Sequence, residues 1–324
     1  MEDLNTKKRP ELKHTDFIDN LPKACTDENA AVELFEAVRW GDTPACVHCG
    51  STAVYKMMDA TTGGRSKRFL WRCRDCHKQY TVRIGAVYEE SRLPLRHWAY
   101  AFWRASTSKK GAAALEIMRQ CQISYKSALF LMHRIRFAMA KKPGTPPKMT
   151  GIVECDELYV GGKPRRGTGP HKPGRGTKKT PVLGIVQRDG DVHRRVVTDV
   201  SGYTLKHAIR QMVDSGARVM TDECSSYLGL KEEFASHESV CHSAGEYAVG
   251  DVHTNTIESS FALIKRGMIG VHHAVSKKHL HRYLAHYDFL WNGRKLNDGE
   301  RTYAAIRSAE GKRLTYRPST KKAN

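Results

Sequence analysis

No apolar run in this sequence approaches the roughly 20 residues that a membrane-spanning helix needs. Residues 1–20 are polar and acidic, without the basic-then-apolar layout of a secretory leader. These absences lead to the expectation of a soluble, cytoplasmic protein with no membrane partner. Acidic residues are short as well, with 34 Asp and Glu facing 54 Lys and Arg for a formal charge of +20 over 324 residues. Such an excess points to a polyanionic partner, and nucleic acid is the commonest. Apolar residues are not lacking. At 40% they suffice for packed cores and exclude a disordered polyelectrolyte, and the length suits about two domains.

The cysteines lack the pattern of a disulfide framework, because nine is an odd number in a long chain and Cys25, Cys121, Cys155, Cys224 and Cys241 stand singly. The others fall as Cys46-x2-Cys49 and Cys73-x2-Cys76, two knuckles able to set four thiolates tetrahedrally around one Zn2+. With four thiolates available, His48 and His77 read as surface residues. A zinc whose positions are all filled by protein has no opening for substrate, so its expected role is structural. Short strands at 68–72 and 79–82 complete a zinc ribbon over 41–90.

The period then changes. Trp98, Phe102 and Trp103 recur at helical spacing, and helices over 111–121 and 124–140 follow. The break Gln122-Ile123-Ser124, with Ser124 placed to cap the next helix, suggests a helix-turn-helix over 91–140. Lys126, Arg134 and Arg136, beside an apolar face of Ala128, Leu129, Met132 and Ile135, are its expected DNA contacts. Residues 91–148 hold 12 Lys and Arg against one acid, the densest excess in the chain. A Pro-rich linker is expected over 141–150. Residues 1–40 carry nine acids against six bases and have no evident role beyond a helix near 30–39.

After the linker, 152–160 reads as a strand, and 181–187 with 192–200 as a hairpin about Asp189-Gly190. A helix near 203–214, a strand at 218–221, a second helix, a strand at 239–243 and a long helix over 254–268 complete the order of a ribonuclease-H-like domain, taken as 151–300. The expected fold class is α/β multidomain: zinc ribbon, helix-turn-helix-like domain, ribonuclease-H-like domain, then a basic tail at 301–324. Fold alone does not establish function. Two-metal phosphoryl chemistry requires converging carboxylates, because Mg2+ prefers oxygen ligands. Asp156 lies mid-strand, Asp222 ends the fourth strand, and Glu258 lies in the first turns of the long helix. By strand alternation Glu154 shares a face with Asp156 and is an auxiliary candidate, while Glu157 points away and reads as structural.

The run Cys155-Asp156-Glu157-Leu158-Tyr159-Val160-Gly161-Gly162-Lys163, then Thr221-Asp222, then Thr254-Asn255-Thr256-Ile257-Glu258 with Lys265-Arg266-Gly267, resembles the DDE transposases of bacterial insertion sequences. The ISXO type, with its N-terminal zinc ribbon, is most similar, and the likeness covers roughly residues 20–300. The resemblance implies that Asp156, Asp222 and Glu258 hold two Mg2+, or Mn2+ in their place. It also implies that Lys265, seven residues beyond the third acid, meets a DNA phosphate with Arg266 beside it. Some relatives carry Asn at the third position, so Asn255 is a second candidate there. Double-stranded DNA, as transposon ends and target, is the implied partner, and the joining of two ends implies a homodimer or higher assembly.

His279-Leu280-His281 with Tyr283 formally matches a different, tyrosine-based transposase signature. A helix would point two such histidines about 200° apart, so Tyr283, Leu284, Tyr287 and Trp291 read instead as a packing stripe. The loop over 161–180 holds seven Lys and Arg and no acid, and Lys163, Arg165 and Arg166 are its expected phosphate contacts. Together these expectations describe an enzyme that binds terminal inverted repeats, hydrolyses DNA at the ends and transfers the freed 3′-hydroxyl to target DNA. The competing classes are a ribonuclease-H-like nuclease or resolvase and a non-enzymatic zinc-ribbon regulator.

Overall fold

A computed structural model describes residues 14–141, 147–162, 179–241, 245 and 248–315. The chain divides into two units, one made of Met1–Ser108, Ala114–Met139 and Leu296–Asn324, the other of Lys109–Ala113 and Ala140–Lys295. No helix among the described residues is long and apolar enough to cross a membrane.

The first unit begins with α1 (His14–Thr26) and α2 (Glu28–Trp40), the latter capped by Asp27, whose side chain accepts the Ala30 N–H at 2.8 Å. Strands β1 (Val54–Lys56), β2 (Trp71–Cys73) and β3 (Gln79–Tyr80) form a small antiparallel sheet. That sheet is not independent of the helices. Trp40 meets Trp71 and Tyr80 edge-on, with ring centroids 5.6 and 5.9 Å apart, and buried Glu36 accepts hydrogen bonds from Trp71 Nε1 at 2.7 Å and Arg65 Nη1 at 3.0 Å. Next comes α3 (Leu95–Thr107), whose cap residue Pro94 has no side chain to offer its first amides. Glu28 supplies the missing acceptor from α2, taking the N–H groups of Leu95 and Arg96 at 2.8 and 3.1 Å.

Helices α4 (Ala114–Cys121) and α5 (Tyr125–Met139) follow the expected break, with Gln122 at φ 51° and Ser124 Oγ accepting the Ser127 N–H at 3.1 Å. The helix expected from 111 starts later because Gly111 turns at φ 80°. Residues 109–113 belong to the second unit, where the Lys110 carbonyl accepts the Tyr287 hydroxyl at 3.0 Å. The ribbon and the helices, expected as separate domains, thus share one unit.

The second unit is built on a mixed sheet in the order β6-β5-β4-β7-β8, from β4 (Ile152–Val160), β5 (Thr180–Gln187), β6 (Val192–Val196), β7 (Arg218–Asp222) and β8 (Ser236–Val240). The first three are antiparallel, and β7 and β8 run parallel to β4. One face packs Val153, Cys155, Leu183, Ile185 and Val219 under α6 (Gly202–Met212). A short β9–β10 hairpin (Ala248–Val249, Val252–His253) leads into α7 (Asn255–Gly267) and then α8 (Leu280–Asn292), which cover the other face over Leu158, Val182 and Val186. The second helix expected after β7 is instead two short 3-10 turns, Ser225–Tyr227 and Leu230–Glu232, separated by Gly229 at φ 87°. Residues 298–307, partly assigned to a basic tail, form α9 (Asp298–Arg307) with a capping box between Asn297 and Glu300. This helix belongs to the first unit, where Thr302 Oγ1 meets Ser106 Oγ at 2.9 Å.

Gly184 decides how closely α7 approaches the sheet. It sits opposite Asp156 in the β4–β5 register, and a Cβ there would lie 2.6 Å from the Phe261 ring and 2.8 Å from Ile257 Cδ1. We therefore expect Gly184→Ala to destabilise the protein by about 1–3 kcal/mol in denaturant titrations, as overpacking does, with Phe261→Leu restoring part of the loss. An unchanged midpoint for Gly184→Ala would show that the helix does not rest on this glycine.

Candidate functional site

Two clusters of metal-ligating side chains occur among the described residues. The first is the ribbon's. Cys46 and Cys76 Sγ are 3.6 Å apart, and Cys49 and Cys73 Sγ 3.7 Å. A zinc with Zn–S bonds of about 2.3 Å in tetrahedral geometry sets its sulfurs about 3.8 Å apart, so the four cysteines fit one Zn2+. Backbone N–H groups of His48 and Cys76 donate to Cys46 and Cys73 sulfur at 3.4 and 3.5 Å, orienting ligands from both knuckles. His48 turns to the Tyr80 ring instead.

The second cluster is acidic. The parallel register of β4 and β7 runs Ile152–Arg218, Val153–Val219, Glu154–Met220, and continuing it sets Asp156 beside Asp222. Carboxylate oxygens of Asp156, Glu157 and Asp222 all lie within 4.8 Å of one another. Glu157 N–H donates to Asp156 Oδ1 at 2.6 Å, Cys224 N–H to Asp222 Oδ1 at 3.1 Å, and the Tyr227 hydroxyl to Glu157 Oε1 at 2.6 Å. Burial pushes the Asp156 carboxyl up to about 7, and the charges of Asp222, Glu157 and Glu258 add to the rise. Among the described residues Asp156 has no Lys or Arg partner. A divalent cation held by oxygens fits such a site, since it relieves the repulsion that the fold has built in.

Glu258 occupies the first turn of α7, outside the 4.8 Å group but close enough for its charge to act on Asp156. Its Oε1 accepts the Thr254 hydroxyl at 3.3 Å. Asn255, Glu258 and Lys265 share the exposed stripe of α7, while Ile257, Ser260, Phe261 and Ile264 are buried. Arg266 is exposed and folds back to the Ala262 carbonyl at 3.2 Å.

Several expectations change. Glu154 does share the face of Asp156 but lies outside the acidic cluster. It is fully buried and accepts Arg188 Nε at 2.7 Å and the N–H groups of Thr256 and Ile257 at 2.8 and 3.0 Å. Glu157, expected to point away, joins the cluster with its carboxylate held by Tyr227. Of the expected DNA contacts on α5, Lys126 is exposed, but Arg134 and Arg136 are buried at 7% and 1% exposure and cannot meet a groove. Arg134 donates to the Glu89 and Leu314 carbonyls and lies over the Phe130 ring. The cause is that α5 is a core helix whose later turns are enclosed on every side. Lys163, Arg165 and Arg166 lie outside the described residues. Tyr283, Leu284 and Tyr287 are buried as a packing stripe, and Asn292 pairs with both backbone groups of Val192 on the edge strand.

The comparisons with known proteins agree with this layout. Residues 148–292 match the family described as the ISXO2-like transposase domain, and residues 26–79 match the transposase zinc-ribbon domain. The chain thus resembles transposases in two separate stretches, one similar to a transposase zinc ribbon and one to a DDE domain. More narrowly, it resembles the insertion-sequence transposases of the ISXO type with an N-terminal zinc ribbon. It is 29% identical to an uncharacterized protein in transposable element ISH50 of Halobacterium salinarum, over 81% of this chain and 90% of that protein. The ribbon match begins at 26 and so takes in α2, the helix that buttresses the sheet.

Two outcomes follow. Between pH 4 and 7 the metal-free folded protein keeps a proton on Asp156 that the unfolded chain releases, so stability falls as pH rises through this window. Asp156→Asn is therefore expected to raise the melting temperature at pH 8 in chelator, to change it little at pH 4, and to abolish stabilisation by millimolar Mg2+. A lower melting temperature for the variant at pH 8 contradicts the repulsion. Elemental analysis is expected to find one zinc per chain. Its extraction should shift the emission of Trp71, which packs beside Cys73, and lower the melting temperature. Unchanged emission after full extraction contradicts a structural zinc.

Proposed function

We propose that the protein is the DNA transposase of an insertion sequence: it binds the element's terminal inverted repeats, hydrolyses DNA at the ends and transfers the freed 3′-hydroxyl to target DNA. The observation that carries this is the meeting of Asp156, Glu157 and Asp222 within 4.8 Å, where the end of β7 lies beside the middle of the parallel β4, with a half-buried Asp156 that no described cation neutralises. The strand order, three antiparallel strands followed by two parallel ones, supports a ribonuclease-H-like domain.

Asp156, Asp222 and Glu258, with Glu157 beside them, are the residues to hold Mg2+, or Mn2+ in its place. Bound there, divalent ions supply an activated nucleophile and charge neutralisation at the scissile phosphate. Asp156 gives up its proton to serve as a ligand. The Tyr227 hydroxyl and the Cys224 N–H hold the Glu157 and Asp222 carboxylates in place against their mutual repulsion. Lys265, two turns beyond Glu258 on the same stripe, offers its ammonium to a DNA phosphate, and Asn255 offers an amide one turn before it. A homodimer or higher assembly brings two ends together.

The test is incubation with DNA carrying the flanking ends and Mg2+, followed by analysis for cleaved and joined products. Wild type is expected to cleave and join, and Asp156→Asn to lose at least a thousandfold of both, the scale of removing a group that acts in the reaction. Cleavage without joining makes the protein a nuclease or resolvase, binding without cleavage makes it a regulator, and undiminished cleavage by Asp156→Asn removes that residue from the site.

A further inference from the structure

With Arg134 and Arg136 enclosed, the DNA-binding charge of the first unit lies elsewhere. The ribbon register sets Tyr55 of β1 opposite Arg72 of β2, and Arg72 opposite Gln79 of β3. Their strand neighbours Val54, Trp71, Cys73 and Tyr80 form the ribbon's core, so alternation turns Tyr55, Arg72 and Gln79 outward as one row across the sheet. Tyr55 is 38% exposed, and the Arg74 guanidinium lies over its ring at 5.0 Å. Among the described residues neither Arg72 nor Arg74 has a carboxylate partner or a side-chain hydrogen bond. Arg39, Arg65 and Arg83 of the same unit are each paired with a glutamate. Lys67, Arg68 and Lys78 are also exposed on this module. Of the two acids between Cys46 and Tyr80, Asp59 is turned onto the amides of Thr61 and Thr62 of its own loop, and Asp75 is exposed.

We propose that this outward face of the zinc ribbon is a double-stranded DNA-binding surface. Arg72 and Arg74 hold phosphates, Gln79 presents its amide to a base edge, and the Tyr55 ring packs against the sugar or base between them. A narrow antiparallel sheet is a shape the major groove admits. Charge complementarity favours DNA as the occupant, because the free guanidiniums are unneutralised cations on a chain of net charge +20. The zinc site directly beneath makes the row rigid, since Cys73 lies between Arg72 and Arg74. The proposal deepens the transposase reading and rests on it for the identity of the DNA.

The experiment is fluorescence anisotropy of the full-length, zinc-loaded protein with a duplex carrying the element's end, over a range of salt concentrations. The Arg72→Gln/Arg74→Gln variant is expected to bind at least several-fold more weakly, with the slope of log affinity against log salt reduced by about 1.8, the value for two lost phosphate contacts. The Arg72→Lys/Arg74→Lys variant is expected to recover most of the slope, and Tyr55→Phe to bind as wild type while Tyr55→Ala does not. All these side chains face solvent, and zinc content reports that the ribbon remains folded. A glutamine variant that keeps its zinc and binds with wild-type affinity and slope overturns the surface, while cleavage of the ends by wild type in the same experiment leaves the transposase reading standing. A wild type that neither binds nor cleaves overturns both.

Discussion

Glu154 has no contact with water, and a bare carboxylate in that position would be ruinous for the sheet. It is tolerated because it is satisfied from two directions, by Arg188 at 2.7 Å and by the first amides of α7 at 2.8 and 3.0 Å. The consequence reaches beyond stability. Those amides belong to Thr256 and Ile257, immediately before Glu258, and Glu154 itself lies two residues before Asp156 on the same strand face. One buried carboxylate therefore fixes the start of the helix that carries the third acid relative to the strand that carries the first. Gly184 sets the remaining coordinate, because a side chain there would hold α7 away from Asp156. Buried Arg194 closes the arrangement from the edge, binding Asp288 of α8 at 2.6 Å and the Ser260 carbonyl of α7 at 3.2 Å.

The first unit uses the same device twice, with both carboxylates on α2. Glu28 completes the amides at the start of α3 that Pro94 cannot, and Glu36 receives the indole of Trp71 and the guanidinium of Arg65 from the ribbon. The acid-rich opening of the chain, which suggests no function when read alone, thus holds the elements of this unit together. Net charge is correspondingly a poor map of where DNA meets the protein. The densest run of bases includes α5, where Arg134 donates to main-chain carbonyls in the interior and Lys312 caps the helix at the Ala138 carbonyl.

What could be read from the sequence was what depends on short spacing. The two Cys-x2-Cys knuckles, the Ser124 cap, the strand bearing Asp156 and the placement of Glu258 at a helix start all have local signatures. What could not be read depends on partners far along the chain. Glu154 is 34 residues from Arg188 and 102 from Thr256, so alternation put it on the right face but was silent on whether a metal or an amide would meet it there. Arg136 looked like a surface base because its own helix has a polar side. Its burial comes from packing around α5 within the unit, to which the C-terminal segment contributes through Lys312. Gly184 carried no signal at all, because a glycine inside a strand matters only through what crosses above it.

Asp156 and Glu154 make the distinction between structural and reactive acids unusually clean. They share a strand, a face and a largely enclosed setting, yet their partners differ in sign. Glu154 is surrounded by donors, and every donor belongs to an element it anchors. Asp156 receives a single amide, from Glu157, and otherwise faces Asp222, Glu157 and Glu258, so that burial and repulsion together lift its carboxyl to about 7. A fold gains nothing in stability by gathering acids that repel one another, and the binding of a divalent cation is the simplest reason for them to persist. Glu157 follows from the same logic despite its opposite side-chain direction. β4 pairs with β7 only as far as Glu154, and beyond that point the strand is free enough of its neighbour for a side chain from the far face to reach the gap beside Asp222, where the Tyr227 hydroxyl steadies it.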